Sequence, residues 1–136
     1  MSRNDIEASV VRAFVAPAKR ERYVEGLSNP KRRSRFLDRL NHHIDDIDPQ
    51  CRVSIPSASQ SAAGIEQLLR ARGAPSECYV MSSWARLDGR EMPLGEALRE
   101  VVGRQMGTLI SCVPGRLGYY ESEEIKARYL LERTTG

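Results

Sequence analysis

The densest chemistry in the chain is cationic: the run Lys31-Arg32-Arg33-Ser34-Arg35, followed by Arg39. On a helical projection Lys31, Arg32, Arg35 and Arg39 share one arc, beside but apart from the apolar face of Phe36, Leu37, Leu40 and Ile44. Arg33 falls on the apolar side and is expected to snorkel outward. Cations crowd the first turn of this helix, where the macrodipole favours anions, so a bound phosphate or carboxylate would relieve the mismatch. With Lys19, Arg20 and Arg22 from the preceding segment, the run forms the candidate anion- or nucleic-acid-binding site. The competing account is a solvated helix face, neutralised in part by Glu21, Glu25 and Asp38. No helix-turn-helix or RNP-type signature accompanies the run.

A second cluster, His42-His43-Ile44-Asp45-Asp46-Ile47-Asp48, gathers both histidines and three carboxylates. Its spacing matches neither H-E-x-x-H nor the calcium-loop pattern, and adjacent histidines point to different faces of a helix or strand. The reading is a polar helix end with a loop, and no metal or other cofactor is expected. The third group is aromatic. Trp84 stands in a polar stretch, and Tyr119 and Tyr120 are neighbours on a strand, so one is expected to be core and the other outward. Trp84, Tyr119 and Tyr120 are therefore the candidate partner interface, exposed aromatics being favoured anchors.

Evidence for catalysis is thin. Ser82, Ser83, Cys51 and Cys112 are available nucleophiles, but His42 and His43 are the only imidazoles in the chain. No G-x-S-x-G, Walker A or Rossmann glycine fingerprint is present. Asp88 and Glu91 flank a turn, where solvation keeps carboxylates ordinary. Non-enzymatic binding is the expectation, by engagement of a protein partner or self-association. The alternatives are nucleic-acid or phosphate-ligand binding through the basic helix, and a small enzyme of unknown substrate.

These residues must be positioned by elements that change character near mid-chain. Residues 4–72 recur apolar at helical spacing, in four segments marked by Ser2-x-x-Asp5 or Asn4-x-x-Glu7, by Pro17, by Asn29-Pro30 and by Gly73. Residues 42–56 are expected to be an irregular connection. From Cys78 the pattern turns to short β-type runs around Asp88-Gly89 and Pro114-Gly115, with one inserted helix opening at Pro93. The fold expected is a single α+β domain over residues 1–136. Residues 1–73 form its helical part and 74–136 a strand-helix-hairpin-strand part. Its sheet is mixed or antiparallel, of about four strands, with helices on one face.

Charge follows the same division. Residues 1–40 hold ten Lys/Arg against five Asp/Glu, whereas residues 41–136 hold eleven against thirteen. Eighteen of the 21 basic residues are arginine, which suits bidentate phosphate contacts but equally follows from a GC-rich genome. At 136 residues the chain is long enough to bury roughly two-thirds of its unfolded surface. Cys51, Cys78 and Cys112 are odd in number and lack a C-x-x-C pair, which argues against disulfides and structural zinc. Absence of an apolar leader or a membrane-length apolar run makes a cytoplasmic location the expectation.

Overall fold

The computed structural model describes residues 2–124 and 128–133, so Met1, 125–127 and 134–136 of the expected domain lie outside the described residues. Helix α1 (Arg3–Phe14) opens with the first of the two candidate capping boxes: Asp5 N–H donates to Ser2 Oγ, and Ser2 N–H donates to the Asp5 carboxylate. Such caps contribute about 0.5–2 kcal/mol. Pro17 does not begin the next α-helix. It opens a single 3-10 turn, Pro17–Lys19, from which α2 (Arg20–Ser28) continues. Asn29-Pro30 likewise lies in a turn, where Asn29 Oδ1 accepts from Lys31 N–H, and α3 begins later, at Arg33–His42.

The stretch expected to be an irregular connection contains a strand, β1 (Arg52–Ser54), after two 3-10 turns at Ile44–Asp46 and Pro49–Cys51. Helix α4 (Ala62–Ala71) runs from a Ser61 cap to Gly73, whose φ of 104° lets the chain leave the helix left-handed. Then come β2 (Glu77–Ser82), β3 (Glu91–Pro93), α5 (Leu94–Val101), β4 (Thr108–Val113), β5 (Leu117–Glu121) and β6 (Arg128–Glu132). The β4–β5 turn at Pro114-Gly115 is the hairpin anticipated, with Gly115 at φ 75°.

The α+β class is as expected, but the sheet has six strands rather than about four. All of its pairings are antiparallel, in the order β1-β6-β5-β4-β2-β3. The two additional strands, β1 and β3, are three-residue pieces at its two edges. The backbone of β2 is engaged beyond the reach of β3 as well: Val80 N–H donates to Arg90 C=O, Gly89 N–H to Val80 C=O, and Ser82 N–H to the Asp88 carboxylate.

Helices cover both faces of this sheet, not one. Tyr79, Met81, Leu109, Tyr120 and Leu131 pack with Val10, Phe14, Tyr23, Leu37 and Leu40 of α1–α3. The alternate residues Val80, Ile110, Tyr119 and Leu130 pack with Ile65, Leu69, Leu94 and Leu98 of α4 and α5. Neighbouring side chains on a strand take opposite faces, so adjacent apolar residues such as Leu109-Ile110 and Leu130-Leu131 need a hydrophobic layer on each side. Cys51, Cys78 and Cys112 are free and buried. Burial pushes the thiols of Cys78 and Cys112 each up to about 12, which keeps both protonated and inert. Among the described residues no helix is long and apolar enough to cross a membrane.

Candidate functional site

The basic run does not behave as one arc. Arg33 does not snorkel outward; it turns into the interior, where its guanidinium binds two carboxylates bidentately. Glu7 accepts at 2.6 and 2.6 Å, and Asp88 accepts at 2.8 and 2.9 Å. Tyr79 hydroxyl also donates to Glu7, which is only 3% exposed. Burial alone would ease the proton off Arg33, but the two carboxylates outweigh it and hold the guanidinium firmly charged. Asp88 thus holds a protein partner rather than solvent alone. It clamps α3 to the segment between β2 and β3.

Arg39 is also paired. Asp46 is fully buried and accepts from Arg39 Nε at 2.8 Å, from Arg39 Nη2 at 3.1 Å, from Lys19 Nζ at 2.5 Å and from the Tyr23 hydroxyl. Burial pulls Asp46 toward the neutral acid, but donation from Arg39, Lys19 and Tyr23 wins and holds it below the usual carboxylate range. The Tyr23 hydroxyl moves the other way, raised by burial and by the adjacent carboxylate.

Above this network lies a cleft of about 360 Å³ between α2 and α3. Five cations line it: Lys19, Arg22, Arg32, Arg35 and Arg39. Tyr23 and Phe36 complete the lining, their rings edge to face at 5.0 Å between centroids. Gly26 makes this seat possible, because a Cβ there would come 2.0 Å from Phe36 Cε2. Three of the predicted residues, Arg32, Arg35 and Arg39, converge on the cleft, while Lys31 is exposed outside it. Lys19 and Arg22 join them from the preceding segment, and Arg20 turns away to Asp48 at 3.5 Å. Among the described residues Arg22 and Arg35 have no ion-pair partner. Arg32 meets only the exposed Glu25, at 3.6 Å, a surface pair of little strength. The cleft thus holds a surplus of positive charge, with Lys19 and Arg39 both tied to the one carboxylate of Asp46. Sequence reasoning did not anticipate Asp46 as the partner of two of these cations, because it reads residues 42–48 as a polar helix end with a loop.

Three members of that second cluster go to separate partners. Asp46 serves the cleft. Asp48 accepts from Gln50 N–H at 3.0 Å and from Arg133 at 2.5 Å, which together hold it below the usual carboxylate range. His42 pairs with Glu123 at 2.6 Å and lies 3.4 Å from Asp38. Among the described residues no three His, Cys, Asp or Glu side chains converge as a metal-binding group.

The aromatic group separates as well. Tyr119 and Tyr120 do take opposite faces, but both are 0% exposed, because each face is covered. Tyr119 donates to Glu121 at 2.7 Å, and Tyr120 donates to Leu40 C=O at 2.5 Å. Neither ring reaches the surface, so the expectation that one points outward is corrected. Trp84 alone is partly exposed, with the guanidinium carbons of Arg104 and Arg86 at 4.0 and 5.4 Å from its ring.

No family model, no curated protein and no solved structure matches this chain. Its chemistry is therefore read from its own residues.

Proposed function

We propose that the protein is a non-enzymatic binding module that takes a phosphate-bearing ligand in the cleft between α2 and α3. The observation that carries this reading is the convergence on one concavity of five cations from α2, α3 and the turns that precede them, with Arg22 and Arg35 free of any carboxylate among the described residues. A phosphate group offers the planar guanidinium forks several acceptor oxygens at once. The buried Asp46 anchors Arg39 and Lys19 without the conformational entropy that free surface cations lose on binding.

The test is titration of inorganic triphosphate into the purified protein, followed by calorimetry. Saturable binding that weakens steeply with added salt is expected. Reversing Arg22 and Arg35 to Glu should weaken it by at least about tenfold, since two charge-assisted contacts are lost. Reversing the exposed Arg90 and Arg99 makes the same change in net charge and should have little effect. Equal losses from both double reversals would mean that overall charge, not the cleft, attracts the anion, and the reading would fail.

A second reading, docking of a protein partner or a second copy, rests on Trp84 between Arg86 and Arg104, a combination of residue types enriched at interface anchors. It predicts a mass by light scattering that rises with concentration and loses that dependence in Trp84→Ala. A constant monomer mass removes self-association.

A further inference from the structure

The cleft between α2 and α3 does not end the cationic surface. Lys19 lines it, and the next residue, Arg20, lines a second concavity of about 700 Å³ on the other side of the 3-10 turn at Pro17. Arg12 of α1, Gly115 of the β4–β5 turn and Arg133 border that second concavity. Arg133 also borders a third, of about 550 Å³, together with Arg72 and Arg116. Arg133 thus borders both the second and the third hollow, while Lys19 and Arg20, neighbours in the chain, border the first and the second.

The carboxylates along the added length are already occupied. Asp48 is held by Arg133 at 2.5 Å and Arg20 at 3.5 Å, and Glu132 by Arg72 at 2.6 Å. Arg133 and Arg20 are further fixed by donating to Ala13 C=O and Val15 C=O. Arg12 and Arg116 are exposed, and among the described residues they have no ion-pair partner. Paired arginines therefore stiffen the path, while Arg22, Arg35, Arg12 and Arg116 present unneutralised guanidinium groups along it.

We infer that the three hollows form one continuous track for the sugar-phosphate backbone of a nucleic-acid strand, entered or left at the α2–α3 cleft. This rests on the phosphate reading of that cleft and deepens it. A lone phosphate or mononucleotide fills one hollow, whereas a strand repeats its charge along the whole path and releases a counterion at each contact.

The experiment compares thymidine oligonucleotides of about 4 and about 16 nucleotides, which bracket common single-strand site sizes, by fluorescence anisotropy at fixed salt. The longer strand should bind at least about tenfold more tightly. Reversal of Arg12 and Arg116 to Glu should remove that advantage and leave the short strand's affinity in place. It should also flatten the plot of log affinity against log salt by about 1.4, at about 0.7 per lost single-strand contact. The neutral R12Q/R116Q variant, a milder change that guards against misfolding, should lose part of the advantage. R22E/R35E should weaken both strands. A polyglutamate of matched charge should bind more weakly than the long strand. If length gives no advantage, if R12E/R116E leaves the advantage intact, or if polyglutamate binds as well, the track is refuted while the cleft survives. If neither strand nor triphosphate binds, the cleft reading fails and the track with it.

Discussion

Arg35 and Arg39 lie one turn apart on α3, yet among the described residues only Arg39 has a carboxylate to hold. That difference follows from Asp46, which sits on a 3-10 turn with its side chain wholly excluded from water. A charge so placed is tolerated only while its donors remain, and removing one member of such a set is costly. Asp46→Asn should therefore destabilise the protein by about 3–5 kcal/mol in urea unfolding. It should also weaken triphosphate binding, because Arg39 and Lys19 lose their anchor. A loss below about 1 kcal/mol would show that the network contributes little. Arg33 gives the same lesson from the other side. Its position on the apolar arc of α3 was legible, but its destination was not, because Glu7 and Asp88 lie far from it in sequence and no local pattern reports a partner 26 or 55 residues away.

Among the elements, the α2–α3 pair depends on close approach. Gly26→Ala would drive a methyl group into the Phe36 ring, and overpacking of this kind costs about 1–3 kcal/mol. The expected readout is a lowered urea midpoint together with reduced triphosphate affinity, since Phe36 lines the cleft. Gly107→Ala is the sterner case, because its Cβ would lie 2.3 Å from the Asn41 backbone nitrogen, which cannot rotate aside. It should destabilise at least as much as Gly26→Ala; a smaller effect would mean that the loop before β4 yields easily. Elements with a strong period or a cap were readable: the Ser2 capping box, α4 ending at Gly73, and the Pro114-Gly115 hairpin. Strands β1 and β3 were not, because three residues carry too little alternation to register as a pattern. The second helical layer was present in the sequence as the adjacent apolar pairs of β4, β5 and β6. One core ring and one surface ring at Tyr119-Tyr120 is what a one-sided sheet would require, and this sheet is covered on both sides.

For the whole molecule, pH should bound stability from two directions. Asp46 and Asp48 titrate below their ordinary value of 3.8 in the folded state, so their contribution is present above that value and is lost as pH falls through the lower folded values. His42 is raised above 6.5 by Glu123, so its contribution is complete below 6.5 and fades as pH rises through the higher folded value. The urea midpoint should therefore peak between about pH 5 and 6.5. His42→Gln should flatten the decline between about pH 6 and 8 without altering the acid limb. An unchanged alkaline decline in that variant would discount the His42–Glu123 pair. The two borders of the sheet carry a different consequence. Each ends in a three-residue strand, β3 closes on Pro93 with no N–H to offer, and Asp88 occupies the outward N–H of Ser82. Little free ladder is left for a foreign chain to extend, which protects against edge-to-edge aggregation and disfavours recognition by strand addition. The proposed cleft, which presents the side chains of Arg22 and Arg35 and no strand edge, is consistent with that.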